Sequence, residues 1–328
     1  MVTLCDLTFL PYPPARSAAQ AYFTDKEIDE GLTYSAERRC FFWGASFVEL
    51  ALLCGLALTG WGRQWADRLL GWTGQRRVLA ALGMGLAYFF LRELLTLPIG
   101  IGRLYHARAW DMSSLSLGGW ARDHFVAFGI ELVLKSIGIA AVYLLMIAFP
   151  RAWWLLGAAG GCLLGIAFAF CAPLVIDPLF NDFTPLADPS LLGRVQKLCA
   201  RADVPVSDVL VMNASRQSKH TNAYFTGFGS TRRIVLYDNL LQRHSAAEIE
   251  SVLAHELGHW RHQHIFKGIL LAGLGAVVGL LVVDRVLRRA IGRAPWQLGS
   301  IADPAGLPLI LLLFNLGAWI SLPMQNAV

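Results

Sequence analysis

The chain has 328 residues, of which 55% are hydrophobic and only 16% charged, with a mean hydropathy of +0.50. That balance is too apolar for an ordinary soluble enzyme of this length and points to a protein that crosses a lipid bilayer several times. The formal charge of +5 does not indicate a nucleic-acid partner, because the basic residues are spread over polar loops rather than gathered on one helix face.

Residues 1–39 form an N-terminal flanking segment. Pro11, Pro13 and Pro14 are followed by Asp25, Glu27, Asp29 and Glu30, so the start lacks the basic stretch and apolar core of a cleavable signal peptide. Apolar runs at 41–60, 78–100, 125–149 and 153–176 each reach the roughly 17–20 residues that a bilayer requires, and predict four transmembrane helices within 40–176. Two shorter runs, 269–283 and 307–322, predict two more within 268–328. Glu49, Arg92, Glu93, Glu131 and Lys135 fall inside these runs, where a charge facing lipid is costly. They are expected either to pair with one another or to face a hydrated interior. The six cysteines show no Cys-x-x-Cys spacing, so neither a disulfide framework nor a thiolate metal site is expected.

Residues 177–267 are the only long polar stretch and are expected to be a domain inserted between the spans. Asp188 and Pro189 read as an N-cap and first-turn pair, and Leu191, Leu192, Val195, Leu198 and Cys199 as one face of a helix ending near Ala202. Strands are expected at 206–212, 222–228 and 232–237, the last two joined by a turn at Gly229, Ser230 and Thr231. Ser245 and Glu248 then form a capping-box signature, and Ile249, Val252, Leu253 and Leu257 follow at helical spacing.

That helix carries the sequence HELGH at residues 255–259. Residues four apart project from one face of a helix, so His255 and His259 can offer two imidazoles to one Zn²⁺. Glu256 lies too near the first ligand to complete the shell, and can instead hold the attacking water and take its proton as general base. The next apolar run begins at Ile269, ten residues after His259 or about 15 Å along a helix, which holds the site at the membrane surface. His262 and His264 are not expected as ligands: the former is about 10.5 Å from His255 along the helix axis and the latter lies on another face. His220 is expected to make a polar contact.

The sequence resembles the integral-membrane zinc metalloproteases typified by CAAX prenyl protease 1. The likeness rests on HELGHW at 255–260, SKHTNAYFTGFGSTRRIVLYDNLL at 218–241, DPLFNDFTPL at 177–186 and LGGWARD at 117–123, and extends from about Tyr34 to the C-terminus. It implies a multi-span α-helical membrane protein with an inserted zincin-like α+β protease domain at 177–267, one catalytic zinc, and a ring of helices around a hydrated chamber. By the same resemblance, Asn222, Ala223, Tyr224 and Phe225 belong to a substrate-binding edge strand, with Asn222 holding the backbone of an extended peptide. The implied substrate is a membrane-associated peptide or protein, with prenylated CAAX termini as the family's substrate class. Two other readings remain beside it: a heat-shock-type quality-control protease of the membrane, and a non-catalytic scaffold with a vestigial zinc motif.

In that family the third zinc ligand is a Glu shortly after the span that follows the HELGH-bearing one. Here no Glu occurs after Glu256, the final span is expected to end near Leu322, and the chain stops at Val328. The absent Glu reads as truncation, with weak zinc binding and no activity expected of this chain alone.

Overall fold

The computed structural model describes residues 19–204, 206–226, 233–261 and 264–325, without the side chains of 170, 259–261, 264–266 and 323–325. The described chain is mostly helical and divides into two compact units. One comprises the residues up to His106 with Ala127–Gly157 and Gly279 onward; the other comprises Ala107–Val126 and Ala158–Val278.

Helix α1 (Asp25–Leu58) starts well before the expected residue 41 because Thr24 and Glu27 form a capping box. Thr24 Oγ1 accepts from the Glu27 amide at 3.3 Å, and the Glu27 carboxylate accepts from the Thr24 amide at 2.8 Å. Helix α2 (Trp61–Trp72) was not expected. Gly62 and Ala66 form its buried side while Trp61 and Trp72 face outward. A side chain at Gly62 would meet the Leu56 carbonyl oxygen at 2.5 Å, so only glycine allows this approach.

Helices α3 (Arg77–Ala109), α4 (Leu117–Ala148) and α5 (Trp153–Val175) follow. After the inserted segment come α10 (His264–Ala290) and α11 (Leu307–Gln325). Five helical stretches are long and apolar enough to cross a membrane: Asp25–Leu58, Arg77–Ala109, Leu117–Ala148, Lys267–Ala290 and Pro304–Leu322. A sixth arises if Trp153–Ala169 and Cys171–Phe180 count as one span across a 40° bend. Pro173 follows that bend by about one turn, and its missing N–H removes the helical bond to the carbonyl of residue 169. The protein is a multi-pass integral membrane protein.

Glu49, Arg92, Glu131 and Lys135 pair with one another. Arg92 donates to Glu131 at 3.1 Å and lies 3.6 Å from Glu49, which accepts from the Tyr88 hydroxyl at 2.9 Å; Lys135 also bonds Glu131. Two acids and two bases from α1, α3 and α4 therefore cancel, which lowers the cost of placing them among apolar helices.

The turn between α10 and α11 is the most deeply buried connection among the described residues, with every residue from Ile301 to Ile310 buried. Asp303 accepts from Arg63 at 2.7 Å and from the amides of Gly299 at 2.8 Å and Ala305 at 3.0 Å. Nearby, buried Asp284 accepts from the Trp153 indole at 2.7 Å and from Arg288 at 2.8 Å. Cys40 is disulfide-bonded, contrary to the sequence expectation, while Cys54, Cys162, Cys171 and Cys199 are free.

Within the second unit, a short helix α6 (Asp177–Phe180) leads to strand β1 (Phe183–Pro185), then to helix α7 (Pro189–Arg201), capped by Asp188 as expected. Strands β2 (Asp208–Met212), β3 (Ala223–Thr226) and β4 (Arg233–Tyr237) complete a four-stranded sheet in the order β1-β2-β4-β3. The pair β2–β4 is parallel and the others antiparallel. The expected turn at Gly229–Thr231 lies outside the described residues. Helix α8 (Asp238–Arg243) and helix α9 (Ala246–Arg261) follow the sheet.

Candidate functional site

Helix α9 carries the HELGH sequence. Its start is set by Ser245, whose hydroxyl accepts from the Glu248 amide at 3.4 Å while the Glu248 carboxylate accepts from the Ser245 amide at 2.7 Å. The Ser245 hydroxyl and amide hold the exposed Glu248 carboxyl below the usual carboxylate range. Ile249, Leu253 and Leu257 recur on one face and pack with Ala223, Ile234 and Leu236, so the helix is seated against the sheet. Turning about 100° per residue from that anchored face puts Glu256 at its margin and His255 on the outer side. Accordingly Glu256 is half-buried and His255 exposed.

The helix is continuous across residues 255–259, so the two imidazole-bearing positions stand one turn apart on a common side. The side chain of His259 lies outside the described residues, as do His262 and the side chain of His264. Among the described residues no three His, Cys, Asp or Glu side chains are placed to hold a metal ion together. The donor chemistry of the two histidine positions nonetheless suits zinc, with Glu256 adjacent for proton transfer.

Among the described residues, strand β3 is an edge strand, paired with β4 on one side only. The Tyr237 amide donates to the Asn222 carbonyl at 3.0 Å, which makes Asn222 and Tyr237 a hydrogen-bonded pair. Antiparallel pairing alternates, so the main-chain groups of Tyr224 and Thr226 turn toward β4 and those of Ala223 and Phe225 turn to the open edge. The Asn222 side chain already occupies part of that edge, its Oδ1 accepting from the Ala223 amide at 2.9 Å. Ala223 and Phe225 side chains face the core shared with α9, whereas Tyr224 lies on the opposite face with Met212 and Val235.

The Tyr224 hydroxyl donates to Asp177 at 3.3 Å, and burial together with that carboxylate pushes its phenol pKa up. The segment leading into β3 is held by buried Asn239, whose amide donates to the carbonyls of Ser218 at 2.6 Å and His220 at 3.3 Å. His220 is exposed and its amide donates to the Ser218 hydroxyl at 3.1 Å. The loop before α4 clasps the same segment, Ser113 donating to the Gln217 carbonyl at 2.9 Å and Ser114 to the Ser215 carbonyl at 2.6 Å. Sequence reasoning missed Asn239, Asp177 and these serines as supports of the strand. Asn239 and Asp177 lie in segments that carry the family resemblance, Ser113 and Ser114 lie outside them, and nothing local marked the role of any of the four.

A bilayer-crossing helical protein with an HExxH helix seated under a small mixed sheet, whose edge strand is open, is the class that fold and site define. Comparison with known sequences narrows it. The family model described as CAAX prenyl protease N-terminal, five membrane helices, matches residues 11–182, and that of peptidase family M48 matches residues 185–325. The chain belongs to this family of membrane peptidases, M48 with a CAAX prenyl protease-type N-terminal region.

An uncharacterized metalloprotease, YhfN, of Bacillus subtilis is 31% identical over 77% of this chain and 60% of its own length. CAAX prenyl protease 1 of Saccharomyces cerevisiae is 44% identical over 31% of this chain and 23% of its own length. The crystal structure of S. mikatae Ste24p matches with a TM-score of 0.66 at 23% identity, covering 74% of this chain and 61% of that one, and shares the fold. The chain thus spans about 60% of the length of the first of these relatives and less of the second.

Proposed function

We propose that this protein is a zinc metalloendopeptidase acting on membrane-associated peptides, with prenylated CAAX-type termini as the substrate class. The observation that carries this reading is the seating of the HELGH helix directly against the sheet whose edge strand, β3, leaves the main-chain groups of Ala223 and Phe225 open. An extended peptide adding to that edge would lie antiparallel or parallel to β3, bonded by main chain and therefore tolerant of side-chain identity. Asn222 would exchange its bond to the Ala223 amide for one to the peptide backbone. His255 and His259 would hold the zinc, which when bound supplies Lewis acidity toward the scissile carbonyl and toward water. Glu256, at the margin between core and surface, would orient the attacking water, accept its proton and return it to the leaving amine.

Membrane-associated substrates fit the placement of the motif, since α9 is followed within a few residues by the bilayer-crossing α10. The CAAX specificity is supported by the names of the relatives alone. The test is Glu256→Gln in the full-length protein. Turnover of a prenylated peptide should fall by about a thousandfold or more while zinc content is unchanged. Undiminished turnover would remove Glu256 from the mechanism, and a full-length protein that binds no zinc would favour a scaffold instead.

A further inference from the structure

Two stretches far apart in sequence, the start of α4 and the residues leading into β3, meet at Asp123, itself only 13% exposed. Arg216 donates to its carboxylate at 3.0 Å and Gln217 at 3.3 Å. Both side chains also donate to the carbonyl of Phe180, the last residue of α6, Gln217 at 3.2 Å. The other end of that four-residue helix is Asp177, which receives the Tyr224 hydroxyl from the middle of β3. Asp123 stands in the second turn of α4, a helix long and apolar enough to cross the bilayer. Edge strand and spanning helix are therefore joined twice: through the chain of residues 216–222, and through α6. The bond from Arg216 to Asp123 joins two charged groups and is roughly twice as strong as a neutral one, so this is the stiff part of the linkage.

We propose that Asp123 and Arg216 are positioning residues that fix β3 relative to the membrane end of α4. On the protease reading above, on which this rests, they set how far from the bilayer a tethered substrate is cut. A peptide added to β3 takes its register from the strand, and its lipid anchor takes its depth from the bilayer. Holding one to the other selects a spacing between anchor and scissile bond. The pair touches neither peptide nor reacting atoms, so its effect falls on which bond is cut more than on the chemistry of cutting.

The test uses the full-length protein and a set of lipid-anchored peptides that differ in the number of residues between anchor and cleavage point, with products identified by mass spectrometry. Wild type should prefer one spacing. Asp123→Asn and Arg216→Ala should flatten that preference by about tenfold, and amide exchange across residues 213–226 should quicken by about tenfold while α9 stays protected. Arg216→Lys, which keeps the charge, should lie between. Faster exchange with an unchanged spacing preference reduces the pair to a structural contact and overturns the proposal, as does unchanged exchange. If Asp123→Asn does not fold, Tyr224→Phe, which removes only the hydroxyl bonded to Asp177, is read in the same way. A wild-type protein that cleaves no member of the set overturns the protease reading, and the exchange comparison still decides whether the pair holds the strand.

Discussion

Ala223 occupies the point where local geometry and proposed chemistry meet. Its side chain is buried against α9, and its amide is turned away from β4 and held by Asn222 Oδ1. A peptide docking by strand addition needs that amide or its neighbour at Phe225. Ala223→Pro removes the outward N–H and no ladder bond to β4, and proline is tolerated at such edge positions. We expect kcat/KM for peptide cleavage to fall about tenfold, the equivalent of one hydrogen bond of about 1–1.5 kcal/mol, with the melting temperature nearly unchanged. An unaltered kcat/KM would argue that substrate does not use this edge. At this scale the HELGH residues were legible because their spacing is local, four residues on one helix. The support given by Asp123 to Arg216 was not, since a contact across 93 residues leaves no period in the sequence.

Among the elements, α9 owes its boundaries to chemistry visible in the sequence: the Ser245 and Glu248 capping box, followed by the core stripe of Ile249, Leu253 and Leu257. Because the folded state holds the Glu248 carboxyl below its ordinary range, the unfolded chain binds that proton more tightly. The resulting stability is present above the ordinary glutamate value and is lost as pH falls through the lowered folded value. Ser245→Ala should therefore lower the thermal midpoint by a few degrees at neutral pH, with the difference from wild type shrinking below about pH 4. Thermal scans of the two proteins in detergent across pH 3–8 measure this; a difference constant with pH would contradict it. The same capping chemistry at Thr24 and Glu27 starts α1, yet residues 25–40 are polar enough to read as a flank, because no apolar run marks them. Strand β1 escaped notice for a different reason. Three residues ending in Pro185 carry no alternation, and their strand character comes only from pairing with β2. Helix α2 was hidden by its small, arginine-containing sequence between two Gly-bearing turns, although its tryptophans on one side fit a membrane interface.

For the molecule as a whole, apolar run length was enough to find the spans, since backbone bonding in lipid leaves the chain few alternatives to helix. The segment 153–176 was found by its apolar length as well, but composition alone does not reveal the 40° bend within it. The charges of α1, α3 and α4 were visible as a cost, and Glu131 and Lys135 stand four apart on one helix, but the pairing of Arg92 with Glu49 and Glu131 depended on helix packing.

The connection around Asp303 has a practical consequence for anyone mapping the topology of this protein. Reporter tags are ordinarily placed in the loops between spans, on the assumption that such loops are spare. Here the turn between α10 and α11 is closed around Arg63, Gly299 and Ala305, whereas the α2–α3 connection passes through exposed Gly74 and Gln75 at positive φ, with open space beside Gly74. An epitope inserted between Ser300 and Asp303 should collapse the yield of monodisperse protein in size-exclusion profiles, while the same epitope between Gly74 and Gln75 should leave the profile intact and be read by antibody from the side on which that loop emerges.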